Sequence, residues 1–215
     1  MDELLERRLK SAGVPVAAAN SRTFEAFKPV RGTAAALAAC RKFVTPEREH
    51  PFLTLAGECG RGKSHLAIGT VTAYLAALPP DPTNWTPSGI VTGATHVTVH
   101  AAYYQAERLL DELRRTFDPS CGAGEYDKLL NRLCGCELLV IDDLGVEKGS
   151  PWGVAKLDEI VEDRYLNDRL LIVTTNMAPE QLPPRIASRL QEGVIAVLDG
   201  SDYRQTKAAA RRVTK

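Results

Sequence analysis

A glycine-rich segment between two apolar stretches constrains the fold of this chain more than any other feature. The segment reads GECGRGKSH, from Gly57 to His65. The apolar run FLTLA precedes it, and LAIGTVTAYLAAL follows it. A short continuous apolar run is typical of a strand buried on both faces, and apolar residues at helical spacing predict a helix. The sequence therefore predicts a strand, a glycine-rich loop and a helix in direct succession.

The alternation of strands and helices continues along the chain. An alanine-rich helix is predicted before the first strand, and a proline-rich surface loop at 79–89. The predicted strands cover 51–57, 96–101, 137–145, 170–176 and 194–199. The predicted helices cover 2–11, 32–44, 63–78, 102–117, 125–133, 151–167 and 183–193. This order predicts a three-layer α/β domain, in which helices cover both faces of a parallel sheet.

Length and charge give a simple domain organisation. The 215 residues are enough for one domain of ordinary size. We expect a short N-terminal helix and linker at 1–20, a core at 21–200 and a basic tail at 201–215. The formal net charge is zero, so only local patches can argue for nucleic acid. The tail forms such a patch, with five basic residues and one acid.

The cysteine count and the hydropathy of the sequence indicate the cellular compartment of the protein. The five cysteines are an odd count at irregular spacing, which argues against a disulfide framework. Cys134 and Cys136 have no second pair at zinc-ligand spacing. No apolar run reaches the roughly 18 residues of a membrane span, and the N-terminus lacks the apolar region of a signal peptide. We therefore expect a cytoplasmic protein with reduced thiols and no membrane partner.

The glycine-rich segment fits the pattern G-x-x-x-x-G-K-[ST]. Glycines let a loop turn its N–H groups inward around a polyphosphate, and the following helix adds donors at its N-terminus. Lys63 can reach the β- and γ-phosphates, and the Ser64 hydroxyl can bind Mg²⁺. The alternative is a glycine-rich turn with a chance lysine. The predicted nucleotide-binding residues are Gly57, Glu58, Cys59, Gly60, Arg61, Gly62, Lys63, Ser64 and His65.

Two acids end the predicted strand ELLVIDDLG. Ligands of an open parallel sheet sit at the carboxyl ends of its strands, which is where Asp142 and Asp143 are expected. A carboxylate pair there is costly without a cation. We predict that Asp142, with Ser64, holds Mg²⁺, and that Asp143 orients or deprotonates the attacking water. The alternative is an acidic turn exposed to solvent.

Polar residues also end the strand LLIVTTN, and two arginines follow it. Asn176 could hydrogen-bond the γ-phosphate or the attacking water, or it could cap the next helix. Arg185 and Arg189 are four residues apart and so share a helix face. Because arginine suits bidentate phosphate contact, either could serve as a finger in a neighbouring subunit. The alternative is a solvated basic face.

The ordered set GECGRGKS, LLVIDDLG, LLIVTTN and PRIASRL resembles an AAA+ ATPase. More narrowly, with RTFEAFKP, AERLLDELRRTF and LDGSDYR, it resembles the DnaC/DnaI-type helicase loaders and the IstB-type transposition helpers. The resemblance covers nearly all of residues 11–206. It implies a sheet of order 5-1-4-3-2, no full lid domain, ATP and Mg²⁺ as cofactors, and a homo-oligomer with its site between subunits.

The resemblance also implies a role for individual residues. It implies that 22–27 lies against adenine and that Arg204 acts like a sensor-two arginine at the nucleotide. Its members often carry glutamate where Asp143 stands, so we expect slow hydrolysis. Loaders usually have a separate helicase-gripping domain, for which only about twenty residues are present here. It also implies that Lys63 and Ser64 contact phosphate and metal, and that Asp142 binds the metal. The remaining residues are Asp143 as the acid that activates water, Asn176 as the sensor, and Arg189 as the arginine finger, with Arg185 adjacent to it.

The function implied is an ATP-dependent loader of a replicative hexameric helicase that binds single-stranded DNA during replication initiation. An IstB-type helper of a DNA transposase is the alternative. A small-molecule kinase is a third hypothesis, against which the acid pair and the TTN strand argue. For DNA, Tyr103 and Tyr104 beside Arg114 and Arg115 could stack on bases and neutralise a single strand.

Overall fold

A computed structural model describes residues 2–79, 85–86, 89–92, 96–145 and 150–200, with the backbone alone for 85–86, 89–92, 96–98 and 179. The strands are β1 Phe52–Ala56, β2 Trp85–Thr86, β3 Gly89–Thr92, β4 His96–Thr98, β5 Ala101–Gln105, β6 Leu138–Leu144, β7 Leu170–Thr175 and β8 Val194–Val197. The helices are α1 Glu3–Ser11, α2 Val16–Ser21, α3 Ala34–Phe43, α4 Lys63–Ala77, α5 Ala106–Arg115, α6 Glu125–Gly135, α7 Pro151–Leu166 and α8 Pro184–Glu192, with a 3₁₀ turn at Pro179–Gln181.

Five strands form a parallel sheet in the order β5-β6-β7-β1-β8. Every pairing in this sheet is parallel. When its strands are numbered 1 to 5 along the chain, the order is 2-3-4-1-5, which is 5-1-4-3-2 from the opposite edge. The predicted α/β class and strand order are confirmed.

The sheet is covered on both faces by apolar packing. Leu53 and Leu55 of β1 belong to a core cluster with α1, α2, α3 and α4, whereas Phe52 belongs to the cluster that includes α5, α6, α7 and α8. Strand residues alternate between the two clusters because successive side chains of a strand point to opposite faces. This alternation produces the predicted three layers. None of the helices in the described ranges combines the length and apolar character needed to cross a bilayer.

The structure corrects the prediction around residues 96–117. Residues 96–98 form β4, which pairs with β3 in a separate antiparallel sheet of three short strands. The sheet strand is instead β5, and α5 begins at Ala106 rather than at 102. Ala101 and Ala102 enter different core clusters, and such small side chains leave a weak alternating signal. Of the loop predicted at 79–89, Trp85–Thr86 is a strand, and 80–84 and 87–88 lie outside the described residues.

The first helix packs into the domain core. Leu9 is fully buried in the cluster that contains α4. The Arg8 guanidinium is buried and donates to the carbonyls of Leu75 at 2.8 Å and Leu78 at 3.2 Å, and also to that of Pro79. These carbonyls lie at the C-terminal end of α4, where a positive charge also opposes the negative end of the helix dipole.

We expect Arg8→Met to destabilise the fold. Methionine keeps an apolar stem but removes the donors, which leaves buried carbonyls unpaired, so the free energy of unfolding should fall by about 2–3 kcal/mol. Urea unfolding measures it. Lys10→Met on the exposed side of the same helix is the matched control, and because its ion pair with Glu6 is exposed, it should change stability by less than about 0.5 kcal/mol. Equal losses in both variants would contradict this role for Arg8.

Candidate functional site

The glycine-rich segment forms a loop that runs from the end of β1 to the start of α4. Gly57, Gly60 and Gly62 have φ values of 150°, 77° and 93°. A Cβ at Gly57 would lie 2.5 Å from the carbonyl oxygen of Leu198, and one at Gly62 would lie 2.8 Å from Cε2 of Phe27. Both the conformation and the available space therefore require glycine here. Gly62 caps α4 without a side-chain hydrogen bond, so the N–H groups of the first turn are available to an anion.

Charged side chains of the loop are held by the loop itself. Lys63 is 7% exposed, and its ammonium donates to the carbonyls of Gly57 at 2.6 Å and Glu58 at 2.8 Å. Arg61 forms an ion pair with Glu58. Lys63 thus lies inside the curve of the loop, where a phosphate could accept its hydrogen bonds in place of the carbonyls.

The segment 22–27 packs on the beginning of α4. His65 Nε2 lies 2.8 Å from the carbonyl oxygen of Thr23, so it donates the hydrogen bond. The His65 ring contacts Phe27 edge-on, with ring centroids 5.2 Å apart. Burial lowers the pKa of His65 below its ordinary value, so the ring is neutral at pH 7. This segment therefore borders the glycine-rich loop, and it is the segment that the family resemblance implies lies against adenine.

A bulge at the end of β6 separates the two consecutive acids. The pairing of β6 with β7 shifts register between Ile141 and Leu144. Asp142 is 3% exposed, and its carboxylate accepts from Thr174 Oγ1 at 2.6 Å and from the Tyr103 hydroxyl at 2.5 Å. Asp143 is exposed and has a φ of 64°, and its N–H donates to Thr174 Oγ1 at 2.8 Å. The bulge therefore produces one buried, oriented carboxylate and one that faces solvent.

The end of β7 lies between the acids and the glycine-rich loop. Thr174 is fully buried and bonds both aspartates, as described above. Thr175 Oγ1 donates to the carbonyl of Leu144 at 2.8 Å. Asn176 is exposed, and its Nδ2 lies 3.9 Å from Sγ of Cys59 in the loop. Since β7 pairs with both β1 and β6, the loop, Asn176 and the acid pair share one end of the sheet.

Sequence reasoning missed the contact between Tyr103 and Asp142. The structure does not support the predicted base-stacking role of Tyr103, because its ring is half-buried and its hydroxyl bonds the carboxylate. Tyr104 is likewise half-buried and packs on the core cluster of α5. The available signal was an aromatic residue near the carboxyl end of a strand, where parallel strands bring side chains together.

The two arginines of α8 are held against α7. Arg189 Nε and Nη2 donate to the Glu162 carboxylate at 2.8 and 3.1 Å, and its guanidinium lies 4.2 Å from the ring centroid of Tyr165. The hydrogen bond with Glu162 raises the pKa of Arg189. Arg185 pairs with Asp158 at 3.1 Å. Within this chain, both arginines therefore bond acids of α7. Arg204 and the predicted basic tail lie outside the described residues.

The donor set at Asp142 suits Mg²⁺ bound together with a nucleotide. Within 2–79, 99–145 and 150–200, no three histidine, cysteine or acidic side chains form a group that could hold a metal ion alone. Mg²⁺ commonly keeps several waters and binds through one or two carboxylates plus substrate phosphates. Asp142 and the half-buried Ser64 fit that pattern, with the remaining ligands supplied by phosphate and water.

Comparisons with known proteins identify the fold. Neither the protein-family models nor the curated proteins searched match the chain. A DnaC helicase loader is 23% identical with a TM-score of 0.63, and the match covers 84% of this chain and 98% of that one. DnaI is 16% identical with a TM-score of 0.62, and the match covers 88% of this chain and 93% of that one.

A replication initiator, DnaA bound to AMPPCP and single-stranded DNA, is 17% identical with a TM-score of 0.65, covering 84% of this chain and 50% of that one. The chain spans about half the length of three of the replication-initiator structures that it matches. Identities this low show similarity of fold alone. The chain shares the fold of these replication proteins.

Proposed function

We propose that the protein is an ATPase that loads a replicative hexameric DNA helicase. The observation that carries the proposal is the convergence of three elements at one end of the sheet. The phosphate loop after β1, Asn176 after β7 and the acid pair of β6 all lie there. Phosphate binding needs the loop alone. Hydrolysis also needs a carboxylate that binds the metal ion and a group that positions the attacking water.

Each side chain at this end of the sheet has a separate role in ATP hydrolysis. The first turn of α4 and Lys63 bind the phosphates of ATP, and Asp142 and Ser64 bind Mg²⁺. Mg²⁺ neutralises phosphate charge when it is bound. Asp143, exposed beside the buried Asp142, orients the attacking water, and Asn176 hydrogen-bonds the γ-phosphate or that water.

Completion of the site by a second subunit explains the position of Arg189. Its guanidinium bonds Glu162 on α7 of its own chain. A guanidinium on an outer helix can contact the γ-phosphate of a neighbouring subunit in a head-to-tail assembly. We propose that ATP brings subunits together in this way and that Arg189 then leaves Glu162.

Single-stranded DNA is the proposed nucleic-acid ligand, and an aromatic surface supports it. This surface consists of Arg114, Phe117, Tyr126, Trp152 and Lys156. Phe117 is 58% exposed, and its ring centroid lies 5.2 Å from that of Tyr126 and 6.1 Å from that of Trp152. Arg114 lies 5.1 Å from the Trp152 ring and Lys156 lies 5.3 Å from the Tyr126 ring. Proteins that bind single strands combine aromatic faces with cations in this manner.

Phe117→Ala should weaken binding to a single-stranded oligonucleotide by about 5-fold, close to the lower estimate for losing one stacked base. Fluorescence anisotropy with labelled oligo(dT) and ATP measures the dissociation constant. Leu166→Ala is the control, because Leu166 is 69% exposed but lies at the far end of α7. An unchanged affinity in Phe117→Ala, or an equal loss in both variants, would exclude the aromatic surface as the binding site.

A helicase partner is proposed from the fold match that covers almost the whole of a DnaC loader. We expect the protein to act in the cytoplasm, with the helicase and its DNA. Affinity capture of the tagged protein with ATP should recover a hexameric helicase. Recovery of a transposase, together with a preference for double-stranded over single-stranded DNA, would instead favour a transposition helper and contradict the proposal.

A further inference from the structure

Both oxygens of the Asp142 carboxylate accept a hydrogen bond from a neutral hydroxyl group. Oδ2 accepts from Tyr103 on β5 at 2.5 Å, and Oδ1 accepts from Thr174 on β7 at 2.6 Å. The two donors lie on the strands that flank β6, so the carboxylate is held from both sides. With 3% exposure, Asp142 has little access to water that could replace either donor.

Tyr103 is itself held in a defined position. Its backbone N–H donates to the carbonyl of Ala12 at 2.7 Å, which ties β5 to the segment after α1. A phenol is protonated at neutral pH, so the Tyr103 hydroxyl acts as the hydrogen-bond donor to the carboxylate.

Thr174 connects the same carboxylate to its neighbour. Its hydroxyl donates to Asp142 and accepts from the N–H of Asp143. One hydroxyl therefore fixes both the orientation of the buried acid and the bulge from which the exposed acid emerges. A hydroxyl donor leaves each carboxylate oxygen with a further lone pair, so the held carboxylate can still accept a metal ion or its bound water.

We propose that Tyr103 and Thr174 are positioning residues that set the affinity of the nucleotide site for Mg²⁺ by holding the Asp142 carboxylate in its metal-binding orientation. The inference rests on the proposed function, in which Asp142 binds Mg²⁺ beside ATP. Partners that orient a metal-binding group commonly change metal affinity by about 10–100-fold when they are removed. A purely structural role would alter stability but leave the Mg²⁺ requirement unchanged.

Tyr103→Phe removes one hydroxyl and retains the ring. The affinity for a fluorescent ATP analogue should equal that of the wild type in EDTA, where Asp142 has no metal to bind. When Mg²⁺ is titrated, the concentration that gives half of the increase in affinity should rise by about 10-fold. Mn²⁺ binding measured by electron paramagnetic resonance should weaken by a similar factor. Tyr104→Phe, at the adjacent half-buried tyrosine, is the matched control and should behave as the wild type.

Variants at Thr174 test the other oxygen and remain informative if Tyr103→Phe fails to fold. Thr174→Val should also raise the Mg²⁺ concentration that gives half of the increase in affinity. Thr174→Ser keeps the hydroxyl, so its Mg²⁺ requirement should equal that of the wild type. Folded variants with the Mg²⁺ dependence of the wild type would overturn the inference while leaving the ATPase proposal intact. A wild-type protein that binds no nucleotide with or without Mg²⁺ would overturn both.

Discussion

Replacing Lys63 with alanine should reduce ATP hydrolysis by about 100-fold or more. The ammonium lies inside the glycine-rich loop on the carbonyls of Gly57 and Glu58, whereas Arg61 forms an ion pair with Glu58. Alanine removes the charge and the donors together. The assay is phosphate release with Mg²⁺, ATP and single-stranded DNA.

A matched lysine variant separates this effect from a general change in charge. Lys42→Ala removes an exposed lysine of α3 that pairs with Glu49, and it should hydrolyse ATP at the wild-type rate. Urea unfolding of both variants establishes that they are folded. Wild-type hydrolysis by Lys63→Ala would contradict the assignment of this loop as the ATP site.

Arg189→Ala should retain ATP binding but lose hydrolysis by about 100-fold or more, because the charge that it would supply matters chiefly in the transition state. The residue bonds Glu162 rather than a group of its own phosphate loop. Glu162→Gln is the control for loss of that partly exposed ion pair. It should hydrolyse ATP at least as fast as the wild type, since it makes Arg189 easier to release.

Mixing two inactive variants tests whether Arg189 acts on a neighbouring subunit. Lys63→Ala keeps its arginine and Arg189→Ala keeps its phosphate loop, so a mixed oligomer contains complete sites. Random mixing should restore about a quarter of the wild-type rate. Two variants that stay inactive together, although each binds the wild type, would argue against a site shared between subunits.

Local sequence determines much of the site. The strand, loop and helix around Gly57–His65 are contiguous in sequence, and their residue types follow from the conformation that the loop needs. The acids and Asn176 also end long apolar strands, which are among the more dependable patterns in a sequence. The parallel sheet and the position of the glycine-rich loop were therefore predictable from these patterns, whereas the order of the strands followed only from the family resemblance.

Contacts between distant segments were not predictable. Tyr103 and Asp142 are 39 residues apart, and their hydrogen bond depends on the register between β5 and β6. Arg8 lies in a strongly charged stretch that predicts a short helix, and nothing in the local pattern indicates that its guanidinium is buried at the end of α4. In both cases a polar side chain is buried because a distant partner satisfies it, and periodicity carries no information about such partners.

The central claim, that ATP drives loading of a helicase, is tested most directly on circular single-stranded DNA. The assay combines the closed helicase hexamer of the same genome, a DNA circle and this protein, and it counts helicase hexamers that remain on the circle. The account predicts that the wild type with Mg²⁺ and ATP loads the helicase and that Lys63→Ala does not. Loading that is equal for both proteins, or that occurs equally without ATP, would contradict it.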